Sequence, residues 1–327
     1  MAARLDVPVT GTRGTPYPKP GSWEVSTSYR WQKSHRHYIG DVEQTQREAD
    51  GSQVINRISL FDLAVRYAWT QRTTVSASLP YFVASRSNPI RDQTQAVIDR
   101  SVTHSNSISD LGVSFRRWMM NPDTCKNGNF SLGAGLKFPT GQSDHLDVRR
   151  TFSRGQIVSS VVPVDQSIQP GDGGWGFTVE ATAFRRFGTR TVAYASGTYL
   201  FNPQEVSGTD RGGTDPITRY YSISDQYLAR IGAARFVRWA TVSLGGRLEG
   251  VPADDLIGGS SGFRRPGYAI SVEPGLSARF GHSALTVNVP VAVYRNRTRS
   301  YADKINGGHG DAAFADYLLI VGFSHLF

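Results

Sequence analysis

The sequence has few of the residues on which disulfide-bonded, metal-clustered or helical membrane proteins depend. Its 327 residues include one cysteine and three methionines, which excludes an intramolecular disulfide and argues against a thiolate metal cluster. Mean hydropathy is −0.33, and no apolar run reaches the roughly 18 residues of a transmembrane helix. We expect no cofactor and no metal. The first residues also lack the apolar core of a signal peptide, so if the protein is exported, we expect this sequence to be that of a mature or trimmed form.

Acidic residues are outnumbered by basic ones, and the chain carries a formal charge of +9 with a pI near 9.8. The arginines are nevertheless scattered singly and in pairs, without a basic helix or a recognised nucleic-acid module. We expect no nucleic-acid partner. Contact with another anionic surface explains the positive charge equally well.

Glycine and aromatic residues are abundant, with 34 Gly, 14 Tyr, 16 Phe and 6 Trp, and this composition favours β structure. Segments in which apolar and polar residues alternate recur from end to end, as they do in half-buried strands. They predict twelve strands, at 22–33, 56–69, 73–85, 107–119, 129–140, 175–187, 191–201, 222–237, 240–251, 267–280, 283–296 and 314–327.

The predicted connections alternate between short and long. The short ones are 70–72, 120–128, 188–190, 238–239 and 281–282, and the long ones are 34–55, 86–106, 141–174, 202–221, 252–266 and 297–313. Transmembrane barrels combine tight periplasmic turns with longer extracellular loops, whereas a soluble sandwich has no reason to sort its loops by length. The sequence therefore predicts an all-β protein, a single antiparallel transmembrane β-barrel of about twelve strands in the bacterial outer membrane.

The two faces of the predicted strands agree with this fold. In 283–296 the lipid-facing residues would be Leu285, Val287, Val289, Val291 and Val293, and the inward ones Thr286, Asn288, Ala292 and Tyr294. Pro274 and Pro290 each remove a donor from the hydrogen-bond ladder, so we expect a β-bulge at both. Aromatic residues near the short turns predict an interfacial girdle: Trp69, Trp118, Phe187, Trp239, Phe280 and Phe327.

The chain ends on an alternating, largely apolar strand whose last residue is aromatic. Such an edge would be exposed in a soluble domain, but in a barrel it pairs with the first strand and its outer face meets lipid. We predict that Tyr317, Phe323 and Phe327 form a terminal signal for the barrel-insertion machinery, since the ending resembles the one that outer-membrane barrels present to it.

The first 21 residues differ from the rest. Pro8, Pro16, Pro18 and Pro20 favour an extended leader that is incompatible with a strand. We predict two regions, a leader at 1–21 and the barrel at 22–327. The leader is interpreted as a periplasmic tail, with a plug entering the lumen as the alternative.

One segment is similar to a known family. Gly133-Ala-Gly-Leu-Lys-Phe-Pro-Thr-Gly141 resembles the glycine-rich strand of the MetA-pathway phenol-degradation family of outer-membrane proteins. Ser109-Asp-Leu-Gly-Val-Ser-Phe115 is similar to that family's "Gly-Asp-Leu" strand, with Ser109 in place of Gly, and Ser78-Leu-Pro-Tyr81 resembles a third element. The resemblance implies a β-barrel channel, linked in some members to breakdown of aromatic compounds. Within the motif we single out Gly133, Gly135, Lys137, Pro139, Thr140 and Gly141.

Alternation also places charged residues on the lumen side of the strands. The candidate lumen-lining residues are Arg30, Asp62, Arg66, Asp110, Arg116, Lys137, Glu180, Arg230, Arg247, Glu249, Glu273 and Arg279. Two interpretations remain open. In the first, the charges close or narrow the lumen as ion pairs between strands; in the second, they line a pore that orients a polar or anionic solute.

No residue pattern defines a catalytic or metal site. A phospholipase-like barrel needs a serine activated by a histidine, and the nearest sequence is His104-Ser105-Asn106. His35 and His37 have a metal-ligand spacing without a supporting carboxylate or cysteine pattern. We therefore predict that the protein is not an enzyme.

The resulting hypothesis is a porin-like channel for passive uptake or efflux of small solutes, aromatic or anionic ones among them. The alternative is a sealed barrel that displays its loops or anchors a periplasmic partner, and a phospholipase-like enzyme is the weakest option. Expected partners are outer-membrane lipid and lipopolysaccharide, the insertion machinery and a small-molecule solute.

Overall fold

The structure is a computed structural model of the chain, and it describes residues 17–327. Residues 1–16 of the predicted leader lie outside this range. The strands are β1 (Trp23–Ile39), β2 (Val42–Glu43), β3 (Ile55–Ala68), β4 (Thr73–Arg91), β5 (Val97–Ile108), β6 (Leu111–Trp118), β7 (Gly128–Phe138), β8 (Leu146–Ser153), β9 (Gln156–Pro163), β10 (Gly176–Phe187), β11 (Thr191–Phe201), β12 (Val206–Asp210), β13 (Tyr220–Ser222), β14 (Gln226–Val237), β15 (Ala240–Val251), β16 (Gly267–Phe280), β17 (Ser283–Asn288), β18 (Val291–Asn296) and β19 (Ala312–Leu326).

Helical structure within residues 17–327 is confined to the loops. It consists of α1 (Gln46–Ala49), α2 (Tyr301–Ile305) and a single 3₁₀ turn at Gln166–Ile168. None of these helices is long and apolar enough to cross a membrane.

Fifteen strands form one antiparallel sheet that closes on itself. The last strand, β19, returns to pair with β1, for example through Leu319 opposite Trp31. β5 and β6 share one position in the wall, as do β17 and β18, and β2 is a short addition beside β1. The wall therefore has twelve strand positions, as predicted. Closure leaves the wall without a free sheet edge, which is required in lipid.

Alternate side chains of the wall point outward, and the outward set is largely apolar. Phe61 and Leu63 on β3 are 48% and 50% exposed, and Leu244 on β15 is 60% exposed. Exposing apolar surface to water costs roughly 25 cal/mol per Å², so a continuous band of this kind is suited to contact with lipid. The neighbouring residues in the alternation, such as Asp62, face the lumen.

The short turns lie at one rim, where aromatic side chains are exposed. Trp69, Phe187, Trp239 and Phe280 lie beside these turns on the outside of the barrel, as an interfacial girdle requires. Trp118 was assigned to the same girdle, but this prediction is wrong. It pairs with Ser131 on the lumen side and is buried, because its position in the alternation points inward.

The predicted loop at 86–106 is a strand pair instead. β4 and β5 continue beyond the wall as a hairpin, paired from Tyr81–Ile108 to Arg91–Val97 with a register shift between Ile90 and Arg91, and it turns at residues 92–96. This extension rises above the lipid-facing band, so it lacks the apolar alternation by which the other strands are recognised. The loop prediction failed for that reason.

The two prolines do not cause bulges. Pro274 lies opposite Leu244 inside the uninterrupted β16, and the register of β18 and β17 with β19 is the same on both sides of Pro290. The register shift in this region lies between Ile270 and Ser271. It turns Tyr294 outward, opposite Ile270, and corrects the inward orientation predicted for Tyr294.

The long connections lie at the opposite rim and carry the remaining elements. β2 and α1 follow β1, the β8–β9 hairpin follows β7, β12 and β13 follow β11, and α2 precedes β19. The connection at 139–175 is the longest. After the β8–β9 hairpin it turns into the barrel, so we refer to residues 164–171 as the inward loop.

Candidate functional site

The lumen is the candidate site, and register places the sequence-predicted charges on its surface. Eleven of the twelve candidates lie inside the barrel, on the lumen side of the strands or at the β5–β6 junction. Arg279 lies at the rim beside the short turns, where its guanidinium donates a hydrogen bond of 3.0 Å to the carbonyl of Gly281. Arg66 forms a partly exposed ion pair of 3.4 Å with Glu24. One carboxylate oxygen of Asp62 is buried without a hydrogen-bond partner among the described residues.

Five of these charges form a continuous chain across the lumen. Arg30 contacts Glu249 at 3.2 Å, and Glu249 contacts Arg247 at 2.6 Å. Arg247 lies 3.8 Å from Glu273, which accepts a hydrogen bond of 3.0 Å from Arg230. β16, β17, β18 and β19 lie between β15 and β1 in the wall, so the Arg30–Glu249 pair spans open space rather than neighbouring strands. We call these five residues the ion chain.

A second group of charges lies around the family-like motif. Arg116 and Glu180 form an ion pair of 2.6 Å. Lys137 contacts Asp172 at the end of the loop and lies 3.9 Å from Asp110. The structure therefore contains features of both interpretations made from the sequence. Ion pairs narrow the lumen, and several of the same side chains also line a cavity.

Thr140 of the motif joins the two halves of an interrupted strand. Its hydroxyl accepts a hydrogen bond of 2.9 Å from the amide of Leu111 and donates one of 2.9 Å to the carbonyl of Ser109. These groups would otherwise lack ladder partners at the junction of β5 and β6. Pro139 follows the end of β7, where its missing N–H costs nothing.

The motif glycines permit close approaches of the backbone. A Cβ on Gly141 would lie 2.9 Å from the Cα of Gly171, where the inward loop leaves the lumen, and the Gly141 amide donates 3.0 Å to Asp110. On the wall, a Cβ on Gly135 would lie 2.6 Å from the hydroxyl of Thr178, and one on Gly133 would lie 3.3 Å from Glu180. The motif therefore fastens the base of the longest loop to the wall.

The inward loop is the functional feature that the sequence did not reveal. Ile168 is fully buried inside the barrel against Leu60, Phe82 and Ala84, together with Val164 of the same loop. Ser105 and Ser109 on the wall donate hydrogen bonds to the carbonyls of Ile168 and Pro170. The one available signal was the presence of large apolar residues, Ile58, Leu60 and Phe82, on inner strand faces that also carry polar residues such as Asp62 and Ser78.

Two cavities lie on either side of this loop. One has a volume of about 200 Å³ and is lined by Leu60, Phe82 and Leu200 and by the polar Lys137 and Asp172. The other is about 130 Å³ and includes Arg86, Arg265, His37 and Asp311 among its lining residues. Gln166 and Ser167 line both cavities. The 3₁₀ turn of the inward loop therefore forms part of the wall between them.

Electrostatic anchors hold this turn in place. Both carboxylate oxygens of Asp165 accept hydrogen bonds from Arg265, at 2.8 and 2.9 Å, and Arg86 lies 3.5 Å away. Burial alone would raise the pKa of Asp165, but the two guanidinium groups outweigh it and hold that pKa well below its usual range. Burial also raises the pKa of the Tyr221 hydroxyl to about 12, and this hydroxyl donates 2.9 Å to the carbonyl of Val164.

The periplasmic end of the lumen contains Tyr17, the first described residue. Its ring packs edge-on against Trp118 and Phe184, with ring centroids 5.4 and 6.3 Å away. Asn129 donates a hydrogen bond of 2.8 Å to its hydroxyl. Tyr17 thus lies inside the mouth of the barrel, at the rim of the short turns.

The three residues of the predicted terminal signal lie on the outside. Tyr317 and Phe323 belong to the exposed face of β19, and Phe327 follows the strand end with its amide 2.7 Å from the carbonyl of Trp23. This placement leaves their aromatic rings accessible. Their role in insertion stays a prediction.

Neither catalytic nor metal-binding alternatives gain support from the geometry. Ser105 points into the barrel and donates to Ile168, whereas the neighbouring His104 is exposed on the outer side of β5. The two cannot act as nucleophile and base, because adjacent strand residues face opposite ways. His37 contacts Asp311 at 2.8 Å, while His35 lies 3.8 Å from Asp316, so the two histidines do not converge.

Comparison with known proteins shows the fold. No family model and no curated protein matches the sequence. An outer membrane channel from Pseudomonas putida F1 aligns with a TM-score of 0.61 and 12% identity over 95% of this chain and 97% of that chain. The toluene transporter TodX of P. putida gives a TM-score of 0.46 at 11% identity over 95% and 91% of the two chains, a likeness too weak to extend beyond general shape.

Closure, the apolar outer band and the aromatic girdle define the class of this molecule. It is a transmembrane β-barrel of the outer membrane of a Gram-negative bacterium. The similarity to the P. putida F1 structure supports the same architecture over nearly the whole chain.

Proposed function

We propose that this barrel is a channel for the passive passage of small solutes. The observation that carries the proposal is the pair of cavities inside the lumen, separated by a folded loop rather than filled by the wall. Eight-stranded barrels fill their interior with side chains, whereas wider barrels enclose usable space. The structural neighbour from P. putida F1 is itself described as an outer membrane channel, which supports the proposal.

The solute we propose is small and at least partly hydrophobic, with aromatic and anionic compounds as the favoured groups. In the larger cavity, Leu60, Phe82 and Leu200 offer apolar surface beside the Lys137–Asp172 pair, and in the smaller cavity Arg86 and Arg265 supply positive charge. The resemblance to the phenol-degradation family supports the aromatic part of this assignment.

Single-channel recording in a planar lipid bilayer tests the channel directly. We expect discrete, small open steps from the purified barrel, because the inward loop and the ion chain leave only narrow passages. Silence under all voltages and solute conditions would refute the channel.

A sealed barrel is the second candidate, and a specific observation favours it. Tyr17, the ion chain and the inward loop obstruct the lumen at different places. In that case the barrel would display its loops or anchor a periplasmic partner, and the bilayer would stay silent even after the leader is removed.

We further propose that the leader, residues 1–21, acts as a plug at the periplasmic mouth, while residues 22–327 form the barrel. The support is the packing of Tyr17 between Trp118 and Phe184. Deleting residues 1–17 should raise the mean conductance, and Tyr17→Ala should reproduce part of the rise. A deletion without effect would favour the periplasmic tail.

A further inference from the structure

The carboxylate of the inward loop, Asp165, is surrounded by more positive than negative charge. Asp165 is shared by Arg265 and Arg86, and both arginines line the smaller cavity. The guanidinium of Arg211 adds to this excess, since it lies 3.9 Å from the ring centroid of Phe263, whose ring also contacts Arg265 at 4.5 Å. The arginines at this site outnumber the one carboxylate that they hold.

Asp311 also lines the smaller cavity and attracts Arg86 and Arg265 through space, but the direct contacts of its carboxylate are with other groups. Its carboxylate lies 2.7 Å from Arg47 and 2.8 Å from His37, so it is already engaged by groups on the opposite side. Buried cations need a counter-charge, so Arg86 and Arg265 can hold the carboxylate of a solute when that of Asp165 has left them.

The same loop places an apolar side chain next to its carboxylate. Three residues after Asp165, Ile168 fills a pocket formed by Leu60, Phe82 and Ala84 and is fully buried. The segment between them, Gln166 and Ser167, separates the two cavities. A carboxylate and an apolar body, held at adjacent subsites, are thus the two side chains by which the barrel retains the loop, in addition to the hydrogen bonds that Ser105, Ser109 and Tyr221 donate to its carbonyls.

We propose that the lumen binds a small amphipathic monocarboxylate at these two subsites, and that Asp165 and Ile168 occupy its place in the closed state. The proposal rests on the channel function proposed above and names the solute class and the gate. The carboxylate of the solute replaces Asp165 on Arg86 and Arg265, and its apolar part replaces Ile168. The loop then leaves the lumen, and the two cavities join.

The exchange explains why solute and loop should compete rather than bind together. A ligand shifts a conformational equilibrium only by its difference in affinity between the two states. Here the arginines and the apolar pocket are available to a solute only when the loop has left them. Binding therefore favours the open state.

Thiol labelling of the loop tests the proposal without relying on conductance. In the full chain carrying Cys125→Ser and Gln166→Cys, a bulky maleimide reports when residue 166 leaves the lumen. Benzoate, which has a carboxylate and an apolar ring, should raise the labelling rate by about tenfold or more at saturation. Acetate lacks the apolar body and benzyl alcohol lacks the charge, so both should leave the rate near its basal value.

Two variants in this background assign the effect to the loop and its anchor. Asp165→Asn should raise the labelling rate without benzoate, because the resident carboxylate is gone. Asp254→Asn is the matched control, since Asp254 pairs with Lys304 in an exposed loop, and it should match the parent. Arg265→Gln should abolish the difference between benzoate and benzyl alcohol. Heat-modifiable gel migration verifies that each variant is folded.

The outcomes distinguish a failure of the monocarboxylate site from a failure of the proposed channel function. Equal effects of benzoate, acetate and benzyl alcohol on the parent would overturn the monocarboxylate site, even if the barrel conducts ions. A benzoate-specific rise that Arg265→Gln removes would support the site, even if the bilayer stays silent and the channel proposal fails.

Discussion

At the scale of single residues, the interior of this barrel is organised by charges whose partners come from other strands. Glu273 is nearly inaccessible and contacts both Arg230 and Arg247. Breaking a buried pair leaves an uncompensated charge, which is far more costly than losing an exposed pair. The ion chain should therefore respond sharply to the removal of one member.

Glu273→Gln tests this expectation. The free energy of unfolding should fall by about 3–5 kcal/mol, because Arg230 loses its counter-charge and Arg247 loses one of its two. The matched control is Glu24→Gln, which removes the partly exposed partner of Arg66 and should cost at most about 1 kcal/mol. Denaturant unfolding in lipid vesicles measures both, and equal losses would contradict the buried chain.

Gly141→Ala tests the close approach at the base of the loop. The added Cβ would lie 2.9 Å from the Cα of Gly171, and backbone cannot move aside as a side chain does. We expect a loss of about 1–3 kcal/mol, as for other overpacked sites. Gly308→Ala meets nothing within 4 Å and should change stability by no more than about 0.5 kcal/mol. Thermal unfolding compares the two.

At the scale of elements, each strand has one face for lipid and one for the lumen. Val287 and Val291 lie on the outward side of β17 and β18. Replacing either with Arg should cost roughly 2–4 kcal/mol near mid-bilayer, measured as the folding free energy in lipid vesicles. Thr286→Arg, which points into the lumen, should cost less. The assigned lipid face is wrong if all three variants are equally stable.

The inward loop should resist acid. Because the folded pKa of Asp165 is depressed, its contribution to loop anchoring is present above the ordinary carboxyl pKa, about 3.9. That contribution is lost only as the pH falls through the depressed value. The labelling rate of Gln166→Cys should therefore stay constant between pH 7 and pH 4, once corrected for thiol ionisation. A rise across that window would show that the anchor is weaker than its geometry indicates.

At the scale of the whole molecule, the barrel could be predicted from two patterns that are visible in the sequence, the alternation of apolar and polar residues and the length of the connections. Alternation sets the strands, and the length of the connections sets which rim they reach. The inward loop follows from neither, because Asp165 and Ile168 find their partners on strands far away in the chain, at Arg86 and Leu60. Trp118 and Tyr294 were assigned to the wrong face because an aromatic near a turn, or beside an unmarked register shift, looks the same in either orientation.

The last residue, Phe327, should matter more for assembly of the barrel in the membrane than for the stability of the assembled barrel. Phe327 lies beyond the end of β19, and its ring is 71% exposed, so Phe327→Ala removes little packing. We expect a marked fall in the amount of folded barrel recovered from outer membranes. The unfolding free energy of the purified barrel should change by no more than about 0.5 kcal/mol. Val42→Ala, at another exposed apolar side chain, is the control.

The hydroxyl groups of Ser105, Ser109 and Tyr221 have an evolutionary consequence. All three hold the inward loop through its main-chain carbonyls, at Ile168, Pro170 and Val164. Every residue type has the same main-chain carbonyl, so these hydrogen bonds do not depend on which side chains the loop carries. Substitutions in the loop can therefore change what the lumen admits while its path through the barrel is inherited, and new solute preferences can arise without a new scaffold.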